Sequence, residues 1–278
     1  MSSPTSLECT DEPHLCRQRG CGVQIDQARI LAAEQEFQSL PQPEQEVSEN
    51  STATLNIIFH VIYTNETTEG GYLSDKAIYD QVDVLNEDYI NTGLSFNLAN
   101  VTRANNPDWF NNIAPGTKEE QTMKEMYRQG GPADLNVYTV GVREEGAKPL
   151  LGYSTFPMEY AARPLNDGVV LLHSTLPGGS SAPFNKGRTL THEVGHWMGL
   201  YHTFQGGCEG PGDEVDDTPA EAEAAYGCPV QRDTCFSPGE DPIFNFMNYV
   251  DDECMNMFTI GQIARIRAQM RAYRRLAI

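Results

Sequence analysis

"THEVGHWMGLYHTF", residues 191–204, holds three of the six histidines in the chain, and a glutamate beside the first of them. His192 and His196 are four residues apart. On an α-helix that spacing puts both imidazoles on one face, one turn apart, where they can hold one metal ion. Glu193 is placed to reach a metal-bound water without becoming a ligand. Gly199 follows His196 by three. A glycine accepts positive φ, so it can end the helix and turn the chain back. His202, three further on, then supplies a third ligand. Three neutral imidazoles and an open fourth position are the ligand set of a catalytic zinc. A lone histidine is ordinarily a satisfied core or surface residue, and His60 and His173 are read that way.

The rest of the composition narrows the setting. The 278 residues are 39% apolar, and no apolar run approaches the ~18 residues of a membrane span. Lys and Arg total 19 against 39 Asp and Glu, a formal net charge of −20. That balance argues against nucleic acid or an anionic membrane as partner, and it suits a secreted or calcium-holding protein. Residues 1–20 lack the apolar core of a secretory leader. Either the protein stays inside the cell or the sequence begins after a removed leader. Seven cysteines near the two ends and sequons at Asn50, Asn65 and Asn100 favour the second, with an oxidising, extracellular destination.

Residues 1–50 read as an N-terminal extension: three cysteines, a helix-capable piece ("DQARILAAEQEFQSL") and a polar linker, with a boundary near 45–54. "LNIIFHVIY", 55–63, has the continuous apolar run of a strand covered on both faces. Ser74 opens a helix with Ile78, Val82, Leu85 and Tyr89 on one stripe. "SFNLANV", "DLNVYTV" and "DGVVLLHS" are further strands, "KEEQTMKEMYRQGG" a polar helix closed by glycine, and "TIGQIARIRAQMRAYRRL" a terminal helix. Strand and helix alternate up to about residue 204, which implies a mixed sheet with helices packed on it. Residues 205–242 are rich in loops and need staples.

The pattern H-E-x-x-H-x-x-G-x-x-H is the metzincin zinc signature. A metzincin also carries a methionine turn beneath the metal, and Met247 in "NFMNYVDDECMNMF" fills that place. The zinc motif with its following Thr203-Phe204, "GDEVDDTP", the Met-x-Tyr turn, "DDECMNMFT" and the cysteine spacing together resemble the pappalysin family, over most of residues 52–278. The resemblance implies an α+β metzincin-like catalytic domain over 51–278. Its upper subdomain, 51–204, would be a twisted mixed sheet with packed helices above the cleft. Its lower subdomain, 205–278, would be irregular, disulfide-stapled and closed by a C-terminal helix. The resemblance further implies a secreted zinc endopeptidase, with protein or peptide substrates bound as an extended strand along 167–174, taken as the sheet edge. Glu193 would be general base and acid. Tyr249 would steady the tetrahedral intermediate, and Glu253 would form the acidic floor of the pocket for the residue after the scissile bond.

Cys208, Cys228, Cys235 and Cys254 allow three pairings by sequence. A second zinc site is the poorer reading, since no C-x₂-C spacing occurs. The resemblance selects Cys208–Cys235 and Cys228–Cys254, each stabilising by roughly 2–4 kcal/mol. The acids of 213–217 suit calcium, and Asp213, Asp217 and Thr218 match the family's calcium loop. Cys9 can pair with Cys16 across a short loop, which would leave Cys21 in "RQRGCGV" unpaired; otherwise Cys21 is an exposed thiol or a partner of Cys9 or Cys16. The arginine, cysteine and glycine of that stretch resemble the latency motif of pappalysin zymogens, so Cys21 is expected to fill the fourth zinc position until residues 1 to about 50 are removed. Arg19 would contact Glu193 or an acidic neighbour. A monomer is expected. A catalytically silent peptide-binding module on the same fold is the main alternative, and a zinc hydrolase of non-peptide amides another.

Overall fold

The computed structural model describes residues 18–40, 51–141 and 150–278, an α+β fold built on one six-stranded mixed sheet. The apolar run 55–63 lies inside β2 (Ala53–Tyr63). That strand pairs in parallel with β3 (Leu94–Asn105) and β4 (Leu135–Val140), and β4 pairs in parallel with β6 (Val169–Leu172). β5 (Leu150–Ser154) runs antiparallel to β6, and β1 (Gly20–Cys21) runs parallel to β5. The order is β1-β5-β6-β4-β2-β3.

This order corrects one expectation. The strand in 167–174 is not the sheet edge, because β6 has a neighbour on each side. Its unbroken Val-Val-Leu-Leu core is what two-sided cover requires. Within 51–278 the edge next to β6 is β5, a short strand interrupted by Gly152, and the N-terminal segment lies along it.

α1 (Gln27–Ser39) belongs to that segment and is capped by Asp26, whose side chain accepts from the Arg29 N–H. α2 (Asp75–Asp88) starts at Ser74 in the same way. Its stripe of Ile78, Val82 and Leu85, continued by Tyr89, is buried against the sheet core. α3 (Pro107–Asn112) and α4 (Lys118–Tyr127) cover the other part of the sheet. α5 (Arg188–Trp197) carries the histidine motif, and α6 (Ile260–Arg274) opens with a reciprocal Thr259–Gln262 capping box. Between α5 and α6 the backbone is irregular. It is crossed by the disulfides Cys208–Cys235 and Cys228–Cys254. No helix among the described residues is long and apolar enough to cross a membrane.

His60 is a core residue with both ring nitrogens engaged. Nδ1 lies 2.7 Å from the Thr102 hydroxyl and Nε2 lies 3.0 Å from Asn136 Oδ1. The ring stacks on Tyr138 at 4.6 Å. Burial lowers its pKa from 6.5 to about 4. The unfolded chain therefore binds this proton more readily. The stability contributed by neutral His60 is present above pH 6.5 and is lost as pH falls toward 4, at a slope of at most about 1.4 kcal/mol per pH unit. His60→Gln should flatten the slope of unfolding free energy between those limits by up to one proton. Equal slopes in urea titrations of parent and variant would contradict the assignment.

Candidate active site

Every residue of α5 from Thr189 to Trp197 is buried, so the helix is embedded between sheet and lower loops. Its end is set by Gly199, at φ +96°. There the Gly199 N–H donates to His196 O and the Leu200 N–H reaches back to Gly195 O, both at 2.9 Å. This is a glycine-terminated helix end. A Cβ at Gly199 would also meet Gln269 Cγ at 2.6 Å. The turn directs His202 back toward the helix. His192 Nε2 and His202 Nε2 lie 3.2 and 3.0 Å from His196 Nε2.

The far side of two of the rings is fixed by backbone. Nδ1 of His192 donates to Phe246 O and Nδ1 of His196 to Leu200 O, each at 2.7 Å. With the proton held on Nδ1, Nε2 keeps its lone pair for a metal. Burial lowers the pKa of all three imidazoles, so they stay neutral, as ligands must. Met247 lies beneath: a Cβ at Gly195 would meet its Sδ at 2.3 Å.

A fourth donor joins them. The ligand atoms of Cys21, His192, His196 and His202 all lie within 4.8 Å of one another. Cys21 is a buried free thiol whose Sγ donates to Glu193 Oε2 at 3.5 Å. Burial, then the Glu193 charge, pushes that thiol well above its ordinary value, and burial raises Glu193 to about 8. A cluster of three neutral imidazoles, a thiol and a carboxyl, all desolvated, is one that a divalent cation would relieve. The donors fit such an ion. Gly152 of β5 gives Glu193 its room, since a Cβ there would meet Glu193 Cγ at 2.9 Å. Tyr249 packs its ring 5.8 Å from His192 and 4.9 Å from His202.

Arg19 is held two residues before Cys21, 1% exposed. Nη2 donates to Asp252 Oδ1 at 2.5 Å, Nη1 to Thr189 Oγ1 at 3.2 Å and Nε to Val250 O at 3.3 Å. Its guanidinium lies over Phe184 at 4.9 Å. Asp252 Oδ2 accepts from the Lys186 N–H at 2.8 Å. The partner of Arg19 is therefore Asp252 and not Glu193. The Glu253 side chain, expected as an acidic floor, is 63% exposed and faces Lys186, whereas its neighbour Asp252 is buried.

Residues 119–271 match the Peptidase M43 family, described as pregnancy-associated plasma protein-A. The chain belongs to this family. Extracellular metalloprotease 1 of Coccidioides posadasii is 47% identical over 78% of the chain and 76% of its own length. An extracellular metalloprotease of Verticillium alfalfae is 42% identical over 92% and 90%. A promirolysin mutant of Tannerella forsythia superposes with a TM-score of 0.74 at 27% identity, over 92% of this chain and 95% of that one. Mature mirolysin with a cleaved peptide gives 0.65 at 28%, over 78% and 91%. The protein is a secreted zinc metalloprotease of the pappalysin family.

The remaining pappalysin features sort unevenly. In the acidic loop, Asp213 is buried and one oxygen accepts from the Val215 N–H. Its other oxygen and the buried Thr218 hydroxyl make no well-formed hydrogen bond. Burial raises Asp213 to about 7. Asp217 is engaged elsewhere: it accepts from Thr259 Oγ1 at 2.7 Å and the Gly261 N–H at 2.8 Å, fastening the start of α6. Asn65 and Asn100 are exposed. Cys9–Cys16 and Asn50 lie outside the described residues. Sequence reasoning passed over Glu221, which is fully buried. It accepts from the Thr203 hydroxyl and from Asn248 Nδ2, both at about 3 Å, and from Arg232, tying the His202 loop to the residue after Met247. A lone glutamate in an acidic loop carries no sequence signal for that role.

Proposed function

We propose that the chain is a zinc endopeptidase made in a latent form, with its N-terminal segment lying across the metal cleft. The observation that carries this is the convergence of four buried donors, Cys21, His192, His196 and His202, within 4.8 Å. One sulfur and three imidazole nitrogens suit zinc. When bound, zinc supplies Lewis acidity, polarising a carbonyl and acidifying a water. The remaining work falls to side chains. Glu193, buried beside the three histidines, takes a proton from water and returns it to the leaving amine. The Tyr249 hydroxyl, beside the histidine rings, donates to the developing oxyanion. Met247 supports the histidines from below.

In the latent chain Cys21 holds the position that water needs. Arg19 occupies the Asp252 pocket, and β1 covers β5. Removing residues 1 to about 50, ahead of the catalytic domain at 51–278, bares β5 as an edge on which an extended peptide adds as a strand. Two findings support latency. The promirolysin likeness covers 92% of the chain and the mature mirolysin likeness 78%. The segment also has buried residues along its length, from Arg19 and Cys21 to Ile30 and Glu34.

The Asp252 pocket selects a basic residue after the scissile bond, because a buried carboxylate that already binds a guanidinium is left unpaired by a neutral side chain. Asp213, Asp217 and Thr218 are read as calcium ligands, Asp213 Oδ2 and the Thr218 hydroxyl being buried without a partner. Asn65 and Asn100, and Asn50 by sequence, are read as glycan acceptors, and the enzyme as a monomer. The silent-module alternative has no observation in its favour, since Glu193 and all three histidines are in place.

Glu193→Ala should keep one zinc per chain, by metal analysis, while peptide hydrolysis after processing falls on the order of 10³-fold. A variant as fast as the parent would contradict the mechanism. In a proteome-derived peptide library the processed enzyme should cut before Arg and Lys, and Asp252→Asn should lose about two orders of magnitude of that preference. An unchanged preference in the variant would remove Asp252 from the pocket.

A further inference from the structure

The N-terminal segment makes one contact that neither metal binding nor the Asp252 pocket explains. Glu34 of α1 is buried, 7% exposed, against the outside of the metal loop. Arg265 of α6 donates to both of its oxygens, Nη1 to Oε2 at 3.1 Å and Nη2 to Oε1 at 2.5 Å. The Tyr201 hydroxyl adds a third donor at 3.0 Å. This is the fork-to-carboxylate arrangement that a planar guanidinium favours.

What fixes Arg265 lies outside the segment. Its Nε donates to Gly199 O at 2.9 Å, on the turn between the second and third histidines, and its guanidinium lies 5.0 Å from the Tyr201 ring. The donors therefore stay aimed at the same point when α1 departs, and Glu34 leaves the Arg265 guanidinium and the Tyr201 hydroxyl without their shared acceptor. Asp213 and Glu214 add negative charge close to Arg265, which favours a single carboxylate over a doubly charged phosphate.

We propose that Arg265 and Tyr201 form a carboxylate-binding site, held by Glu34 in the latent chain and taking an acidic side chain of a peptide substrate after processing. The proposal rests on the reading that the segment is removed. The site flanks the cleft, for Phe156 lies 5.4 Å from the Tyr201 ring and 5.7 Å from the His196 ring. It is on the side that Val23–Ile25 follow, away from Asp252: Gln205 Nε2 donates to Ile25 O there. An extended chain advances roughly 3.3 Å per residue, so the acid belongs about three or four residues from the scissile bond, opposite the Asp252 side.

The test uses full-length, zinc-loaded protein carrying a specific cleavage site within 41–50, cut before assay. Matched peptides with Glu or Gln at successive positions on that side are compared by their ratio of kcat/KM, which is independent of the active fraction of each preparation. The Glu peptide should be preferred about tenfold at one position. The ratio should shrink in Tyr201→Phe and approach one in Arg265→Gln. A second arm measures calorimetric binding of a peptide of residues 27–40 to the same protein, where Glu34→Gln should weaken binding by about tenfold for the parent and leave Arg265→Gln unaffected. A ratio of one at every position overturns the substrate proposal, and leaves Glu34 as a latch alone if the binding arm still discriminates. Equal binding of both peptides to the parent overturns the site itself. A processed protein that cleaves nothing defeats the zymogen reading, while the binding arm still decides the site.

Discussion

Three imidazole nitrogens must meet at one point, and much of the molecule follows from that demand. Two can come from one helix face, but the third has to arrive from outside the helix. Gly199, at φ +96°, makes that return within three residues. The rings then need a fixed tautomer, and the carbonyls of Phe246 and Leu200 supply it. Phe246 belongs to the loop that also carries Met247 and Tyr249. The irregular lower half is thus locked to α5 by the same hydrogen bonds that prepare the metal ligands. Glu221, joining Thr203 to Asn248, repeats the connection one residue beyond each site residue. Two disulfides hold the loops that have no sheet or helix of their own.

A preorganised, desolvated cleft is unfavourable to leave open. Here the chain fills it with its own residues. Arg19 neutralises Asp252, Cys21 completes the donor set and Glu34 satisfies Arg265, in sequence order along one path. Each of these groups meets a partner contributed by the rest of the chain. A buried charge left without its partner costs several kcal/mol, so these contacts reinforce one another, and loosening one exposes the rest. The parallel pairing of β1 with β5 places the thiol at the metal ligands while the segment spans the cleft.

The histidine motif and the helical stripe of α2 were legible because periodicity encodes them. Positions four apart share a helix face whatever the rest of the chain does. The core strands, though not their order in the sheet, were legible from their apolar runs. The edge strand was not legible. Leu150–Ser154 is five residues with a central glycine, and a strand that lacks a run or an alternation resembles a loop. Asp252 and Glu253 are adjacent acids that sequence cannot rank. Only the fold shows that one faces Arg19 and the other faces solvent. The acids around Asp217 were legible as a loop, but not that its carboxylate also accepts from the start of α6, 42 to 44 positions away. Glu34 and Arg265 are 231 residues apart, and no local pattern announces a pair at that distance.

The central claim is that the latent chain holds zinc through the three histidines and the Cys21 sulfur together. X-ray absorption at the zinc edge reads this donor set directly. Unprocessed protein should show three nitrogen scatterers near 2.0 Å and one sulfur near 2.3 Å, as such bonds require. After processing the sulfur should be replaced by oxygen. A shell of nitrogen and oxygen alone in the unprocessed chain, with Cys21 intact, would contradict the account.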